Sequence, residues 1–351
     1  MSTHTAIHAR SPLRIDFVGM TDYVPACRRF GGSIVNATMN KYIYASVRER
    51  HDQLIILHAP DREDKRVVVE SKEALDPDAE LGLAQEIVRR FDPPHGLELT
   101  TYSEMPAGAG LGSSSTIATC IIAALDALTG FRLSAYEMAE LAYLIERVDL
   151  GIAGGRQDQY AAAFGGFNFI EFQKDATIVN ALRVPEAALR ELEYRLLLCY
   201  LKQTRSSADI ITRQRASYVA RKRSVVQALD ALKASTYEMK RALLLGDIDG
   251  FGAILHEAWL AKKRLDAGIS TGSVDALYEQ ARRAGAIGGK MPGAGGGGYF
   301  LVLCRADRRH AVARALEAAG GVLVPFAFTH EGVTAWTAGK DRPGAARRAR
   351  A

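Results

Sequence analysis

A glycine-rich loop set between a strand pattern and a wholly apolar helix is the feature that most restricts how this chain can fold. Residues 97–102 read Leu-Glu-Leu-Thr-Thr-Tyr and alternate as a half-buried strand does. Residues 116–128 carry Ile117, Cys120, Ile121, Ile122, Leu125 and Leu128 with alanines between them, so a buried helix is expected there. Between the two lies Pro106, Ala107, Gly108, Ala109, Gly110, Leu111, Gly112, Ser113, Ser114 and Ser115. The first turn of a helix has N–H groups with no intrahelical partner, and glycines remove the side chains that would keep a ligand from them. The segment therefore suits an anion.

The hydroxyls of Ser113, Ser114, Ser115 and Thr116 can cap the helix, donate to phosphate oxygens or ligate Mg²⁺. A plain glycine turn with a serine cap accounts for the same residues. Two better-known phosphate loops are excluded. A P-loop needs Lys after its last Gly and a dinucleotide fingerprint needs a third Gly, and Ser113 stands at both positions.

With 351 residues, 48% hydrophobic and 24% charged, the chain has room for one large or two ordinary globular domains. After Gly339 five basic residues face one acid, so all but about one unit of the +5 net charge sits in that tail. The body lacks the dense basic face of a nucleic-acid binder, and the tail reads as solvated and disordered. Cys27, Cys120, Cys199 and Cys304 are widely spaced, as expected in a reducing compartment. No signal-peptide core and no apolar run of about 20 residues is seen, so a cytoplasmic protein without a membrane partner is expected.

Along the chain, residues 12–17 and 34–47 read as strands, 54–57 and 67–69 as a ribbon, and 79–91 as an amphipathic helix. Arg14 falls among apolar residues, where it needs either a buried ion-pair partner or an anionic ligand. Asp22 caps a turn or accepts sugar hydroxyls. Residues 134–147 form a helix with Ser134 as N-cap and Glu137 completing a capping box. Glu146 lies near its end, unfavourable for a carboxylate unless a cation is bound. Gly154, Gly155, Arg156 and Asp158 follow at another helix start, where Asp also serves as a cap. A boundary is expected near 184–191, then a strand at 196–200, a long helical tract from Thr204 through Leu245, and helices at 248–265 and 273–283. Residues 290–298 feed a strand at 299–304, with a helix at 307–319 and a strand at 322–326 to follow. Gly293, Gly295 and Gly298 spell a dinucleotide string, but this loop precedes a strand instead of joining strand to helix. The eight histidines show no metal spacing.

Ser11 to Arg14 with Gly19 to Tyr23, Pro106 to Ser115, and Lys290 to Gly298 together resemble the GHMP kinases, over about residues 10–336. Residues 36–38, 149–152 and 157–168 add a likeness to the D-glycero-D-manno-heptose 7-phosphate kinases within that superfamily, although Val18, Gly19 and Met20 replace a run of glycines before Thr21 and Asp22. The resemblance implies an α+β fold with a ribosomal-S5-like N-terminal domain (7–187), a ferredoxin-like C-terminal domain (188–338) and a basic tail (339–351). It implies ATP and Mg²⁺ as cofactors and phosphorylation of the anomeric hydroxyl of a sugar phosphate. By position, Asp158 matches the catalytic aspartate and Arg14 the basic residue beside it. Ser114 and Glu146 match the metal ligands, residues 106–115 the nucleotide loop, and Asp22 a sugar-contacting aspartate. Thr21, Gly154, Gly155, Arg156, Arg205, Gly293, Gly295 and Gly296 fall on the substrate side.

A second phosphate on the sugar calls for Arg or Lys, with Arg28, Arg29, Lys41, Arg156 and Arg205 as candidates and Arg156 and Arg205 foremost. A fucokinase-like or altro-heptose phosphate kinase is the nearest rival. A silent sugar and nucleotide sensor is disfavoured by the presence of both Asp158 and Glu146. A homodimer is left open.

Overall fold

The computed structural model describes residues 6–20, 31–106, 108, 110–203 and 207–338. Ala107, Ala109, Thr21, Asp22, Cys27, Arg28, Arg29, Arg205 and the basic tail, all singled out above, lie outside them.

The chain builds two sheets with helices packed on them, the α+β arrangement expected. Among the described residues the first sheet has eight strands. Long strands β1 (Ile7–Met20) and β2 (Gly32–Glu49) run antiparallel at its centre. Residues 32–39 of β2 are all buried, whereas from Ile43 onward burial alternates, so the same strand begins covered on both faces and ends with one face open. Its open half pairs with β5 (Leu97–Ser103), beside which lie β3 (Ile55–Ala59) and β4 (Lys65–Val69). Its covered half pairs with β6 (Phe167–Phe172), which carries β7 (Thr177–Ala181).

The amphipathic segment near residue 80 forms α1 (Gly82–Phe91). The apolar helix is α2 (Ser113–Thr129), with residues 120–125 all buried, and it packs against β1 and β2. Helix α3 (Ala135–Tyr143) opens with the Ser134–Glu137 capping box in place. It does not run regularly to 147. Residues Leu144–Asp149 widen into a π-helical turn, a local irregularity common at functional sites. Helix α4 (Gln157–Phe164) follows.

The expected boundary at 184–191 is instead largely helix, α5 (Glu186–Arg195), running directly into β8 (Leu196–Tyr200). Its Glu186-Ala-Ala-Leu-Arg-Glu-Leu-Glu pattern, with Ala188, Leu189 and Leu192 buried, is an amphipathic one that the charge density obscured. The long tract after Thr204 is two helices, α6 (Ser207–Val219) and α7 (Arg223–Leu245), broken where Arg221 turns to φ 52°. Helices α8 (Ile248–Lys263) and α9 (Gly272–Ala284) precede β9 (Ala286–Lys290). Strand β10 (Tyr299–Cys304), α10 (Arg309–Ala318) and β11 (Val322–Val324) complete a second, four-stranded antiparallel sheet in the order β11-β8-β10-β9.

The last strand, β12 (Thr334–Thr337), returns to pair with β1 in the first sheet, so residues 188–338 do not all belong to the second. Helix α7 likewise packs on β1 and β2. One continuous core joins the halves, with the Phe17 ring of β1 edge-on to Phe251 of α8 at 5.1 Å.

Candidate active site

Two glycine loops meet in a cleft between the halves. The first leads into α2, and the second, 291–298, joins β9 to β10. Gly293 has φ +65°, and a Cβ there would lie 2.6 Å from the Gly110 carbonyl oxygen, so only glycine allows this approach. Gly112, the N-cap of α2, has φ +79°, and a Cβ would sit 3.3 Å from Asp158 Cγ and 3.4 Å from Arg14. The mouth of α2 is thus backbone facing a carboxylate and a guanidinium.

Arg14, only 2% exposed on β1, has an ion-pair partner. Its Nε donates to Asp158 Oδ1 at 2.8 Å, its Nη2 lies 2.8 Å from the same oxygen, and its Nη1 donates to the Gly110 carbonyl at 2.8 Å. Asp158 sits in the first turn of α4 with its side chain 20% exposed. The pair is held, yet the carboxylate still reaches the cleft.

Glu146, fully buried in the π-helical turn, accepts from Ser114 Oγ at 2.7 Å and from Gln159 Nε2 at 2.6 Å. Ser114 and Glu146 therefore bring hard oxygen donors together at the start of α2, the type that suits Mg²⁺. Arg147 crosses the opening, donating to Ser115 Oγ at 3.2 Å and to the Gly155 carbonyl at 3.3 Å. The buried Ser113 Oγ has no protein partner.

A second charged group adjoins the pair. Asp16, two residues beyond Arg14 on β1, is ion-paired to Lys290 at the end of β9, accepts from the Gly293 amide, and lies 3.8 Å from Arg14 Nη1. Burial raises its pKa, but Lys290, Lys262, Arg14 and the Gly293 amide outweigh burial and hold it at about 2. Lys262 of α8 donates to the carbonyls of Met291 and Gly293, the first at 2.8 Å. Burial, then repulsion from Lys290, lowers its pKa to about 7 against the attraction of Asp16. None of these three was singled out from sequence. Asp16 shares a strand face with Arg14, which was the available signal; Lys290 opens the third motif without a role given to it, and Lys262 carried no signal.

Gly154, Gly155 and Gly293 line the cleft. Arg156 does not: it pairs with Glu140 of α3 at 3.1 Å and lies over the Tyr143 ring at 4.0 Å. Gly295 and Gly296 turn to Ile269, whose carbonyl accepts from the Gly296 amide at 2.9 Å. The Leu111 side chain is in the core, and Pro106 is exposed. An adjoining hollow shares Gly108, Ser113 and Ser114 with the cleft and is walled by Leu57, Leu81, Leu99, Ile117 and Ile121.

The fold and this arrangement define a small-molecule kinase. The N-terminal domain of the GHMP kinases matches residues 80–166 and their C-terminal domain matches 239–322, and the chain belongs to that family. It is 37% identical over 337 residues to the D-glycero-alpha-D-manno-heptose 7-phosphate kinase of Campylobacter jejuni, spanning 94% of this chain and 98% of that one. It is similar to the crystal structure of a D-glycero-D-manno-heptose 1-phosphate kinase from Bacteriodes thetaiotaomicron, with 34% identity, a TM-score of 0.78, and 94% and 98% of the two chains covered. The L-fucokinase/L-fucose-1-P guanylyltransferase of Bacteroides fragilis is 27% identical over 331 residues, which are 85% of this chain and 34% of that protein.

Proposed function

We propose that the protein transfers the γ-phosphoryl group of ATP to the anomeric hydroxyl of D-glycero-D-manno-heptose 7-phosphate, giving the 1,7-bisphosphate and ADP. The observation that carries this reading is the Asp158 carboxylate, held by Arg14 at the glycine mouth of α2.

Phosphoryl transfer asks a protein chiefly to position the reactants and to offset charge. The free amides at the start of α2 receive the β- and γ-phosphates, and Ser113 Oγ supplies a further donor. The adenine enters the adjoining hollow, which meets the phosphate loop at Gly108. Asp158 accepts the proton of the anomeric hydroxyl as its oxygen bonds to the γ-phosphorus and the bond to the ADP oxygen breaks. Arg14 aims that carboxylate at the mouth of α2, so orientation of the acceptor hydroxyl is a large part of its contribution. Ser114 and Glu146 would hold Mg²⁺, which when bound supplies positive charge to the phosphate oxygens.

The heptose phosphate is supported by the identity to the Campylobacter enzyme along nearly both whole chains. Asp22 and Thr21 are proposed to meet the sugar, and Arg205 its 7-phosphate. The likeness to an L-fucokinase favours fucose as the rival acceptor. Mixing protein and MgATP with heptose 7-phosphate, free heptose, hexose phosphates or fucose separates these readings: ADP release is expected first and fastest with heptose 7-phosphate. Preference for fucose would favour the rival, and binding without ADP release would make the protein a sensor. Asp158→Asn is expected to lower turnover about 10²- to 10⁴-fold while ATP affinity changes less than about threefold. Unchanged turnover would remove Asp158 from the reaction.

A further inference from the structure

Lys262 is costly where it stands. Its ammonium is buried, Asp16 already has Lys290 as an ion-pair partner, and Lys290 and Arg14 add like charge nearby. What the lysine holds is backbone. From α8 its Nζ donates to the carbonyls of Met291 and Gly293, the start of the second glycine loop. That loop seats the first one, because Gly293 lies against the Gly110 carbonyl and a Cβ on Gly110 would be 3.1 Å from the Pro292 carbonyl oxygen. The Gly293 amide donates to Asp16, and the Gly110 carbonyl accepts from Arg14, which grips Asp158.

We propose that Lys262 is a positioning residue for phosphoryl transfer, fixing from α8 the loop that seats Gly110 and Asp16 and, through them, the Arg14–Asp158 pair. This inference rests on the kinase reading of the cleft. A merely structural plug would affect stability and leave turnover per folded molecule alone, whereas a positioning group acts on kcat. Misplacing reacting groups by about 1 Å costs about 100-fold in rate. The charged amine makes stronger hydrogen bonds to the two carbonyls than the neutral one. The charged groups facing it are Asp16 and Arg14 from β1 and Lys290 from β9. Catalysis supported by the clamp is therefore strongest while Lys262 is protonated and weakens as pH rises through its titration.

The test compares full-length wild type with Lys262→Met, and with Lys262→Gln in case the first variant does not fold. Steady-state kinetics are measured with MgATP and heptose 7-phosphate from pH 6 to 9. Wild-type turnover is the control on which the proposed function stands, so its absence defeats that reading and not this one. Given wild-type turnover, kcat in the folded variants is expected to fall about 10- to 100-fold with KM for ATP within about threefold. The wild-type to variant ratio of kcat/KM is expected to shrink as pH rises through about 7. A kcat within threefold of wild type in a folded variant, or a ratio flat with pH, would overturn the proposal.

Discussion

At the residue scale, Gly112 shows how little room the site leaves. Its φ of +79° disfavours any side chain, and a methyl group would press on both Asp158 and Arg14 at 3.3–3.4 Å. Gly112→Ala is expected to cost about 1 kcal/mol in stability and to lower kcat about 100-fold by displacing the carboxylate. Urea unfolding and steady-state kinetics on the same preparation check both, and a variant with normal kcat would show that Asp158 needs no such seat. Single residues were legible where local chemistry was unusual. Arg14 among apolar neighbours announced a partner and has one in Asp158, while Glu146, whose helix-end position called for a cation, accepts from Ser114 and Gln159. Arg156 misled, because a basic residue beside glycines looks the same in sequence whether it faces the cleft or, as here, Glu140 and Tyr143.

At the element scale, β1, α8 and β9 share a buried charged junction whose two ends both make stability rise with pH, in separate pH windows. Asp16, held at about 2 when folded and near 3.9 when unfolded, adds stability above about pH 4 that is lost as pH falls towards 2. Lys262 acts in the same direction at higher pH, because burial disfavours its charged form. Between its folded value of about 7 and an unfolded value near 10.4, only the unfolded chain still holds the proton, so raising the pH favours the fold. Wild-type stability relative to Lys262→Met is expected to rise by about 2 kcal/mol between pH 7 and 9; urea unfolding across that range tests it, and a constant difference would contradict it. Strands and helices with clean periodicity, such as β5, α2 and the capped α3, could be read directly. Helix α5 could not, because charged residues hid a narrow apolar stripe, and the break between α6 and α7 rests on a single positive φ at Arg221.

At the scale of the whole molecule, function depends on chain segments that only tertiary packing unites. Asp16 and Lys290 are 274 positions apart and Arg14 and Asp158 are 144 apart, yet the four line one cleft. The order of the three glycine and polar motifs revealed the family, since each is a local backbone device. The Lys262 junction stayed hidden because nothing local marks a lysine on a helix as buried. The cations gathered here, Arg14, Lys262, Lys290 and Arg147, exceed the nearby carboxylates and suit reactants that both carry phosphate. Phosphorus NMR of the reaction of wild-type protein, MgATP and D-glycero-D-manno-heptose 7-phosphate tests the account most directly. It predicts a new resonance from a phosphate on the anomeric carbon, growing in step with ADP while the 7-phosphate signal persists. ADP formed without that resonance, or no reaction with the heptose phosphate while fucose is phosphorylated, would contradict it.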